Sequence, residues 1–163
     1  ASTIVDLGCG AARKLIPLAD RFDVVGVDVA QTVDWLPQVD GCRWVRFDLD
    51  GPGELPDDVV VPGAVVVCAD VIEHLRRPER LGHHLRRLVA AGCTIVLSTP
   101  DRVRTWGPAH LGPPPNPTHA REWAADELVA LLGDWGLRVR SQTWTRSSDQ
   151  DDSRDTILVV IGD

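Results

Sequence analysis

The strongest constraint on the fold is a series of short apolar segments separated by helix-forming stretches. Five such segments occupy residues 2–7, 23–28, 43–48, 64–68 and 94–97. Segment 43–48 alternates, whereas the others have continuous apolar centres. Such centres are typical of parallel strands buried on both faces, with helices as the crossover connections. The pattern predicts an α/β fold.

The rest of the chain completes this pattern. The predicted helices cover residues 11–21, 70–91 (restarting at Pro78) and 126–135, and two further strands cover residues 137–144 and 156–161. The polar run 146–154 between those strands predicts a hairpin loop. We therefore expect a single domain over residues 1–163. Its sheet is Rossmann-like, doubly wound and seven-stranded, mostly parallel with the last strand antiparallel, and helices cover both faces.

Composition excludes several classes of function. The formal charge of −7 opposes general nucleic-acid binding, because affinity for phosphate backbones depends on Lys and Arg. No apolar run approaches the roughly 20 residues that cross a bilayer, and no signal-peptide pattern opens the sequence. The four cysteines form no CxxC pair, which indicates reduced thiols. We expect a cytoplasmic protein that binds neither nucleic acid nor membrane.

Acidic residues follow three of the predicted strands. Asp28, Asp48 and Asp70 lie about twenty residues apart, and ligands of open α/β sheets bind outside the carboxyl ends of the strands. Gly8 and Gly10 after the first strand allow close backbone approach to a ligand. The helix predicted after them offers free N–H groups suited to an anionic group. Asp28 stands where an acid can bind a ribose diol.

Two residues indicate which class of cofactor is bound, a dinucleotide or another adenosine-containing molecule. A dinucleotide fingerprint places a third glycine at position 13, where this chain has Arg13. Asp6 precedes the first glycine, and a carboxylate there suits a positively charged amino group better than a pyrophosphate. An NAD-dependent or nucleotide-sugar Rossmann protein is therefore the less favoured alternative.

Five segments in this order resemble class I S-adenosylmethionine-dependent methyltransferases, in particular the small-molecule branch similar to the ubiquinone-biosynthesis type. They are VDLGCG (5–10), VVGVD (24–28), FDLD (47–50), VVVCADVIEHL (65–75) and TIVLSTP (94–100). The resemblance covers nearly the whole chain. It departs from the family at Ala12, where many members have glycine, and at the start, which lacks the helices that often precede the first strand.

The resemblance implies a set of cofactor-binding residues for S-adenosyl-L-methionine. Asp6, Gly8 and Gly10 would hold the methionine part, Asp28 the ribose, and Asp48 with Leu49 the adenine. The complete expected set is Asp6, Gly8, Cys9, Gly10, Asp28, Val29, Asp48, Leu49, Ala69 and Asp70.

Methyl transfer needs an aligned acceptor and, for a hydroxyl, a base. His74 would lie beside the cofactor and is the first candidate for that base; the alternative is a histidine fixed by hydrogen bonds under the cofactor loop. His110 and His119 are the further catalytic candidates, and Glu73 is expected to be structural. We expect a small-molecule acceptor, with a hydroxyl of a sugar or secondary metabolite favoured over nitrogen.

The proline-rich segment, residues 104–123, follows the fifth strand on the side of the cofactor loops. In the resembling family this connection supplies substrate contacts. The candidate acceptor-binding residues are Asp101, Arg102, Arg104, Asn116, Arg121 and Trp123. Residues 121–123 have an alternative role, docking the segment on the final helix.

Two other functions remain open at the level of sequence. Asp101, His110, His119 and Glu122 are possible metal ligands, but their spacing matches no metal motif, so we expect no metal. A cofactor-binding module that is inactive alone, or that needs a partner, is the rival from a different functional class. An N-methyltransferase is the rival enzyme.

Overall fold

A computed structural model describes residues 2–146 and 155–162, and a seven-stranded sheet runs through it. The strands are β1 (Thr3–Leu7), β2 (Asp23–Asp28), β3 (Cys42–Arg46), β4 (Val65–Ala69), β5 (Thr94–Pro100), β6 (Val139–Thr145) and β7 (Thr156–Ile161). Their order across the sheet is β3-β2-β1-β4-β5-β7-β6. Strand β7 pairs antiparallel with both β5 and β6, whereas β1 to β5 pair in parallel. The predicted fold class is confirmed.

Four α-helices and two short 3-10 helices connect the strands in the described part of the chain. They are α1 (Ala30–Val33), α2 (Pro78–Ala90), α3 (Arg102–Trp106) and α4 (Ala125–Asp134), with 3-10 turns at Ile16–Leu18 and Ile72–His74. Apolar side chains at helical spacing on α2 and α4 are fully buried against the sheet strands, as periodicity predicts. They include Leu81, Leu85, Leu88, Leu128 and Leu132.

The prediction of a helix over residues 11–21 is wrong. The chain there forms turns and the 3-10 helix Ile16–Leu18. Ala12 has a left-handed backbone with φ of 54°, which no α-helix accommodates, and Pro17 cannot donate a helical hydrogen bond. The expected helix N-terminus behind the glycine loop is therefore missing, and with it the proposed anion site.

The second predicted helix, over residues 70–91, is two elements rather than one. A 3-10 turn at Ile72–His74 precedes α2, which begins at Pro78 as expected. The proline-rich segment also holds an unpredicted element, since α3 extends into it. Asp101 caps α3 by accepting hydrogen bonds from the backbone of Val103 and Arg104. Aspartate is a favoured N-cap residue, so Asp101 was the sequence signal for this helix. Helix propensity alone did not predict α3.

Three further expectations concern the chain as a whole. The four thiols are free, and three of them are buried. Among the described residues, no helix has both the length and the apolar character needed to span a bilayer. The hairpin loop expected at residues 146–154 lies almost entirely outside the described residues.

Contact between α2 and the end of α4 generates a stability prediction. A Cβ added at Gly82 would lie 2.4 Å from the Trp135 indole. Overpacking of this kind costs about 1–3 kcal/mol and outweighs the gain of about 1 kcal/mol in helix propensity. We expect Gly82→Ala to lower the free energy of unfolding by up to about 2 kcal/mol in urea denaturation.

Gly133 on α4 is the matched control. No described atom lies within 4 Å of a Cβ added there, so Gly133→Ala is expected to raise stability by about 0.5–1 kcal/mol. Equal effects of the two substitutions would contradict the packing argument.

Candidate functional site

The sheet order creates one place where several strand ends meet. From β1 the chain moves outward to β2 and β3, then returns to place β4 on the other side of β1. Because β1, β2 and β4 are parallel, their carboxyl ends lie at the same edge. Ligands of doubly wound sheets bind at such a reversal of strand order.

The glycine loop after β1 is tied to the end of β2. The backbone N–H groups of Gly8 and Cys9 donate to the Val27 carbonyl at 2.8 and 3.1 Å. Gly10 N–H donates to Asp28 Oδ2 at 2.9 Å, and Val29 N–H donates to Asp28 Oδ1 at 2.8 Å. The Asp28 carboxylate therefore fixes both loops, with lone pairs left on each oxygen for a further donor.

Gly8 is required at its position for two reasons. Its φ of +79° is in the left-handed region, and an added Cβ would lie 2.4 Å from Val71 Cγ2. The absence of a side chain keeps open the space between the loop after β1 and the residues after β4.

These loops enclose a cleft of about 240 Å³, the strand-end cleft. It is lined by Gly8, Asp28, Val29, Phe47, Asp48, Leu49, Asp70, Val71, His74 and Leu75. Six of the ten expected cofactor-binding residues and His74 therefore lie together. Phe47, Val71 and Leu75 were not predicted, because apolar side chains that line a cleft have the same sequence pattern as core residues.

The remaining four expected cofactor residues lie outside this lining. Gly10 reaches the cleft only through Asp28, and Asp6 lies on β1 behind it. Ala69 is exposed at the end of β4. Cys9 is buried in a small second core with Val24, and burial raises the pKa of its thiol to about 12. A nucleophilic role for Cys9 is therefore unsupported.

Asp6 carries the clearest electrostatic signal near the glycine loop. Burial, reinforced by the charge of Asp28 and opposed by Lys14, raises the pKa of its carboxyl to about 7. With this raised pKa the carboxyl is partly protonated at neutral pH. A nearby positive charge would stabilise its ionised form. This fits a cationic ligand group.

The proline-rich segment is fastened directly to the residues after β4. The backbone carbonyl of Glu73 accepts hydrogen bonds from Ala120 N–H at 2.7 Å and Arg121 N–H at 3.2 Å. His74 Nδ1 lies 3.0 Å from the Thr118 carbonyl oxygen. The segment therefore packs beside the strand-end cleft, as the sequence predicts for an acceptor-binding connection.

The side chain of Glu73 is fully buried beneath this contact. Thr99 Oγ1 donates to its Oε2 at 2.9 Å. Its Oε1 is buried and has no hydrogen-bond partner among the described residues. Burial raises the pKa of the Glu73 carboxyl to about 7, against the effect of its hydrogen bonds. A structural role was expected for Glu73, but neither its docking backbone carbonyl nor the unpaired oxygen of its buried carboxyl was predicted.

His119 and Glu122 form a hydrogen-bonded pair within the segment. His119 Nδ1 lies 2.6 Å from Glu122 Oε1, and Trp106 Nε1–H donates to Glu122 Oε2 at 2.7 Å. Asn116 Nδ2 lies 2.9 Å from His119 Nε2. The His119 and His74 rings meet edge to face, with centroids 4.9 Å apart. His119 is thus brought into contact with His74.

His110 lies elsewhere, against a second cavity of about 350 Å³, the loop cavity. This cavity is lined by Arg102, His110, Leu111, Gly112, Pro113, Pro114, Ala120, Arg121, Glu122 and Glu127. His110 Nε2 faces the Pro113 carbonyl at 3.3 Å. A catalytic role for His110 is not supported, because it is absent from the lining of the strand-end cleft.

Three expected acceptor-binding residues are structural instead. Asp101 is 3% exposed, caps α3 and accepts a hydrogen bond from Trp144 Nε1 at 2.8 Å. Trp123 is 1% exposed in the main core. Arg102 is 9% exposed and binds Glu127 at 2.7 Å and the His110 carbonyl at 2.8 Å. Asp101 and Trp123 therefore cannot contact an acceptor, whereas Arg102 is accessible only where it lines the loop cavity.

The other expected contacts are more accessible. Arg104 lies over the Trp144 ring at 4.1 Å and Arg121 over the Trp123 ring at 5.4 Å. Asn116 and Arg121 are both exposed. Of the four possible metal ligands considered from the sequence, His119 and Glu122 are in contact, whereas Asp101 is occupied by the cap and His110 lines the loop cavity.

Comparison with known proteins identifies the family of this chain. The profile of the family described as "Methyltransferase domain" matches residues 1–142. A probable S-adenosylmethionine-dependent methyltransferase of Mycobacterium tuberculosis is 34% identical over 144 residues, which cover 84% of this chain and 49% of the relative. The chain thus spans about half the length of that relative.

Solved structures with low sequence identity share the fold. An S-adenosylmethionine-dependent methyltransferase from Aquifex aeolicus has a TM-score of 0.70 at 17% identity, covering 98% of this chain and 81% of its own. The glycopeptide N-methyltransferase MtfA in complex with S-adenosyl-L-methionine has a TM-score of 0.71 at 18% identity, covering 99% and 87%.

Asp6 generates a pH prediction for the protein without ligand. Its carboxyl titrates near 3.8 when unfolded and near 7 when folded, so the folded state binds more protons between these values. Stability therefore falls as the pH rises through this window. Asp6→Asn stays neutral, and we expect it to gain roughly 2–4 kcal/mol over wild type between pH 4 and 8, at about 1.4 kcal/mol per pKa unit.

Urea unfolding at pH 4, 6 and 8 measures this difference. The exposed acid Asp20 provides the control, since Asp20→Asn is expected to follow the wild-type curve. A difference between Asp6→Asn and wild type that is constant with pH would contradict the assignment.

Proposed function

This chain belongs to the class I S-adenosylmethionine-dependent methyltransferases, with S-adenosylmethionine as its cofactor, and on that premise we propose that it methylates a hydroxyl group of a small molecule. The proposal includes the small-molecule branch that the sequence resembles. The supporting observation is His74, which lines the strand-end cleft and is oriented by the proline-rich segment.

The residues around the strand-end cleft fit the cofactor. The side chain missing at Gly8 leaves a cradle that a Cβ would fill. Asp6 and Asp70 offer carboxyl groups toward the amino and sulfonium charges, and Asp28 retains acceptor capacity for the ribose hydroxyls. Asp48 and Leu49, with the unpredicted Phe47, would hold the adenine. This set combines acids with apolar contacts, as a cationic nucleoside requires.

The bound cofactor supplies a methyl group on a positively charged sulfur, which makes that methyl strongly electrophilic. The protein's task is therefore to align the acceptor oxygen, exclude water and remove the hydroxyl proton. The carbonyl of Thr118 can only accept a hydrogen bond, so His74 Nδ1 carries the ring proton and Nε2 is left basic. His74 is thus prepared to take the proton at Nε2.

The exposed face of the proline-rich segment would hold the rest of the acceptor. Asn116, Arg121 and Arg104 offer hydrogen-bond donors of the kind that bind sugar or secondary-metabolite oxygens. The loop cavity, which Arg121 also lines, extends this surface. Buried Asp101 and Trp123 would act by shaping the segment rather than by touching the acceptor, whereas Arg102 would reach it only through the loop cavity.

An amine acceptor is the second candidate. MtfA, which shares the fold, is named a glycopeptide N-methyltransferase. An amine would still use the same cofactor cleft and the same segment. The formal charge of −7 favours either small-molecule class over a nucleic-acid acceptor.

Cofactor binding is tested first at Asp28. Removing its carboxylate deletes the proposed ribose contact and the anchor of the Gly10 loop, and hydrogen bonds to charged groups contribute about 1.5–3 kcal/mol. We expect Asp28→Ala to weaken S-adenosylhomocysteine binding about 10- to 100-fold in calorimetry. Asp34, an exposed acid paired with Arg46, is the control, and Asp34→Ala should bind normally. Tight NAD binding without S-adenosylhomocysteine binding would contradict the function itself.

The acceptor is tested by screening hydroxyl and amine compounds for transfer of a labelled methyl group. With an acceptor in hand, His74→Gln keeps the size of the side chain and removes the basic nitrogen. We expect kcat to fall about 100-fold or more, in the range of general-base catalysis, with S-adenosylhomocysteine affinity unchanged. The exposed His83 serves as control through His83→Gln. Unaltered turnover in His74→Gln would remove His74 from the chemistry.

A further inference from the structure

Three side chains beside the strand-end cleft form a cluster of metal-ligating groups. Glu73, His74 and His119 each offer one ligand atom, and these atoms all lie within 4.8 Å of one another. Ligands of a divalent ion bound at about 2.0–2.2 Å stand about 3–3.5 Å apart. Metal binding would therefore draw the three ligand atoms closer together. The sequence spacing did not predict this cluster, since Glu73 and His119 are 46 positions apart in the chain.

Both histidines are prepared to present Nε2. His74 Nδ1 is held by the Thr118 carbonyl, and His119 Nδ1 is held by the Glu122 carboxylate at 2.6 Å. The Asn116 amide nitrogen faces His119 Nε2 at 2.9 Å and can only donate, which leaves that nitrogen unprotonated. Metal-bound histidines commonly donate their other ring N–H to a carboxylate or a backbone carbonyl, and these two histidines show both forms.

Glu73 provides an independent reason to expect a cation. Its side chain is fully buried, and Oε1 has no partner among the described residues. An unpaired buried carboxyl oxygen is costly, and buried charges in proteins are paired or coordinate metals. Thr99 orients the carboxyl through Oε2. A cation beside Oε1 explains why a glutamate is tolerated there.

We propose that Glu73, His74 and His119 bind a divalent first-row cation, such as Mn²⁺ or Zn²⁺. Two imidazoles and one carboxylate are a donor set that such ions accept while retaining open positions. Thr118, Glu122 and Thr99 act as the outer partners that orient the three ligands. The amide of Asn116 gives up its hydrogen bond to His119 when the ion binds.

The position of the ion refines the role of His74, and this consequence rests on the proposed function. Because His74 lines the strand-end cleft, an ion held by it would lie beside the place proposed for the acceptor hydroxyl. Such an ion would supply Lewis-acid chemistry that lowers the pKa of a bound hydroxyl. His74 would then serve as a ligand, and the hydroxyl proton would pass to water instead of to the imidazole.

Metal binding is measured without turnover. Chelator-treated protein is titrated with MnCl₂, ZnCl₂ or MgCl₂ in a calorimeter, and bound metal is counted by elemental analysis. We expect one Mn²⁺ or Zn²⁺ per chain, with weaker Mg²⁺ binding. His119→Gln and His74→Gln should weaken binding at least 10- to 100-fold, since even outer-partner mutations have effects of that size. Because His74 is exposed, its variant tests the site without challenging the core.

His83→Gln is the matched control, because Glu54, His83 and His84 form the other cluster of potential ligands in the described chain. That variant should bind metal like wild type. Loss of binding in His83→Gln but not in His119→Gln would overturn the proposal, as would absence of stoichiometric binding in wild type.

The two proposals fail differently. Methyl transfer at an unchanged rate in excess chelator overturns the metal site and leaves the methyltransferase function standing. Failure to bind S-adenosylhomocysteine, with one Mn²⁺ or Zn²⁺ per chain still bound and lost in His119→Gln, overturns the function and supports the metal site.

Discussion

The parallel pairing of β1 with β2 on one side and β4 on the other is the constraint on which the site depends. It brings three carboxyl strand ends to one edge, so that Gly8, Asp28 and Asp70 line one cleft. Asp28 then joins two of these ends by accepting hydrogen bonds from Gly10 and Val29. Asp28 thus both lines the strand-end cleft and fixes the two loops that shape it.

Glu73 has a comparable double role on the acceptor side. Its backbone carbonyl fastens the proline-rich segment through Ala120 and Arg121, while its carboxyl is buried below. His74, the next residue, contacts both the cleft and Thr118. An acceptor held by the segment would therefore be linked to the strand-end cleft through these two consecutive residues after β4.

The strands and most of the cleft could be predicted from sequence, because both depend on local signals. Buried strands show as apolar runs, and the acids at their ends stand at fixed offsets from them. The absence of an α-helix over residues 11–21 could not be predicted, because the left-handed backbone of Ala12 is set by the turn around Cys9 and Leu15. Helix α3 was not predicted, because the prolines that follow it indicate an irregular segment.

The sequence by itself determined the fold class, the family and the three acids that line the strand-end cleft, Asp28, Asp48 and Asp70, since short motifs and periodicity encode them. Only the tertiary structure decided which histidines meet, because His74 and Thr118 are separated by 44 positions and come together through the docking of one segment. Burial likewise decided that Asp101 and Trp123 support the segment, and that one oxygen of Glu73 has no partner among the described residues. Burial and long-range hydrogen bonds depend on the packed chain, so no local pattern carries them.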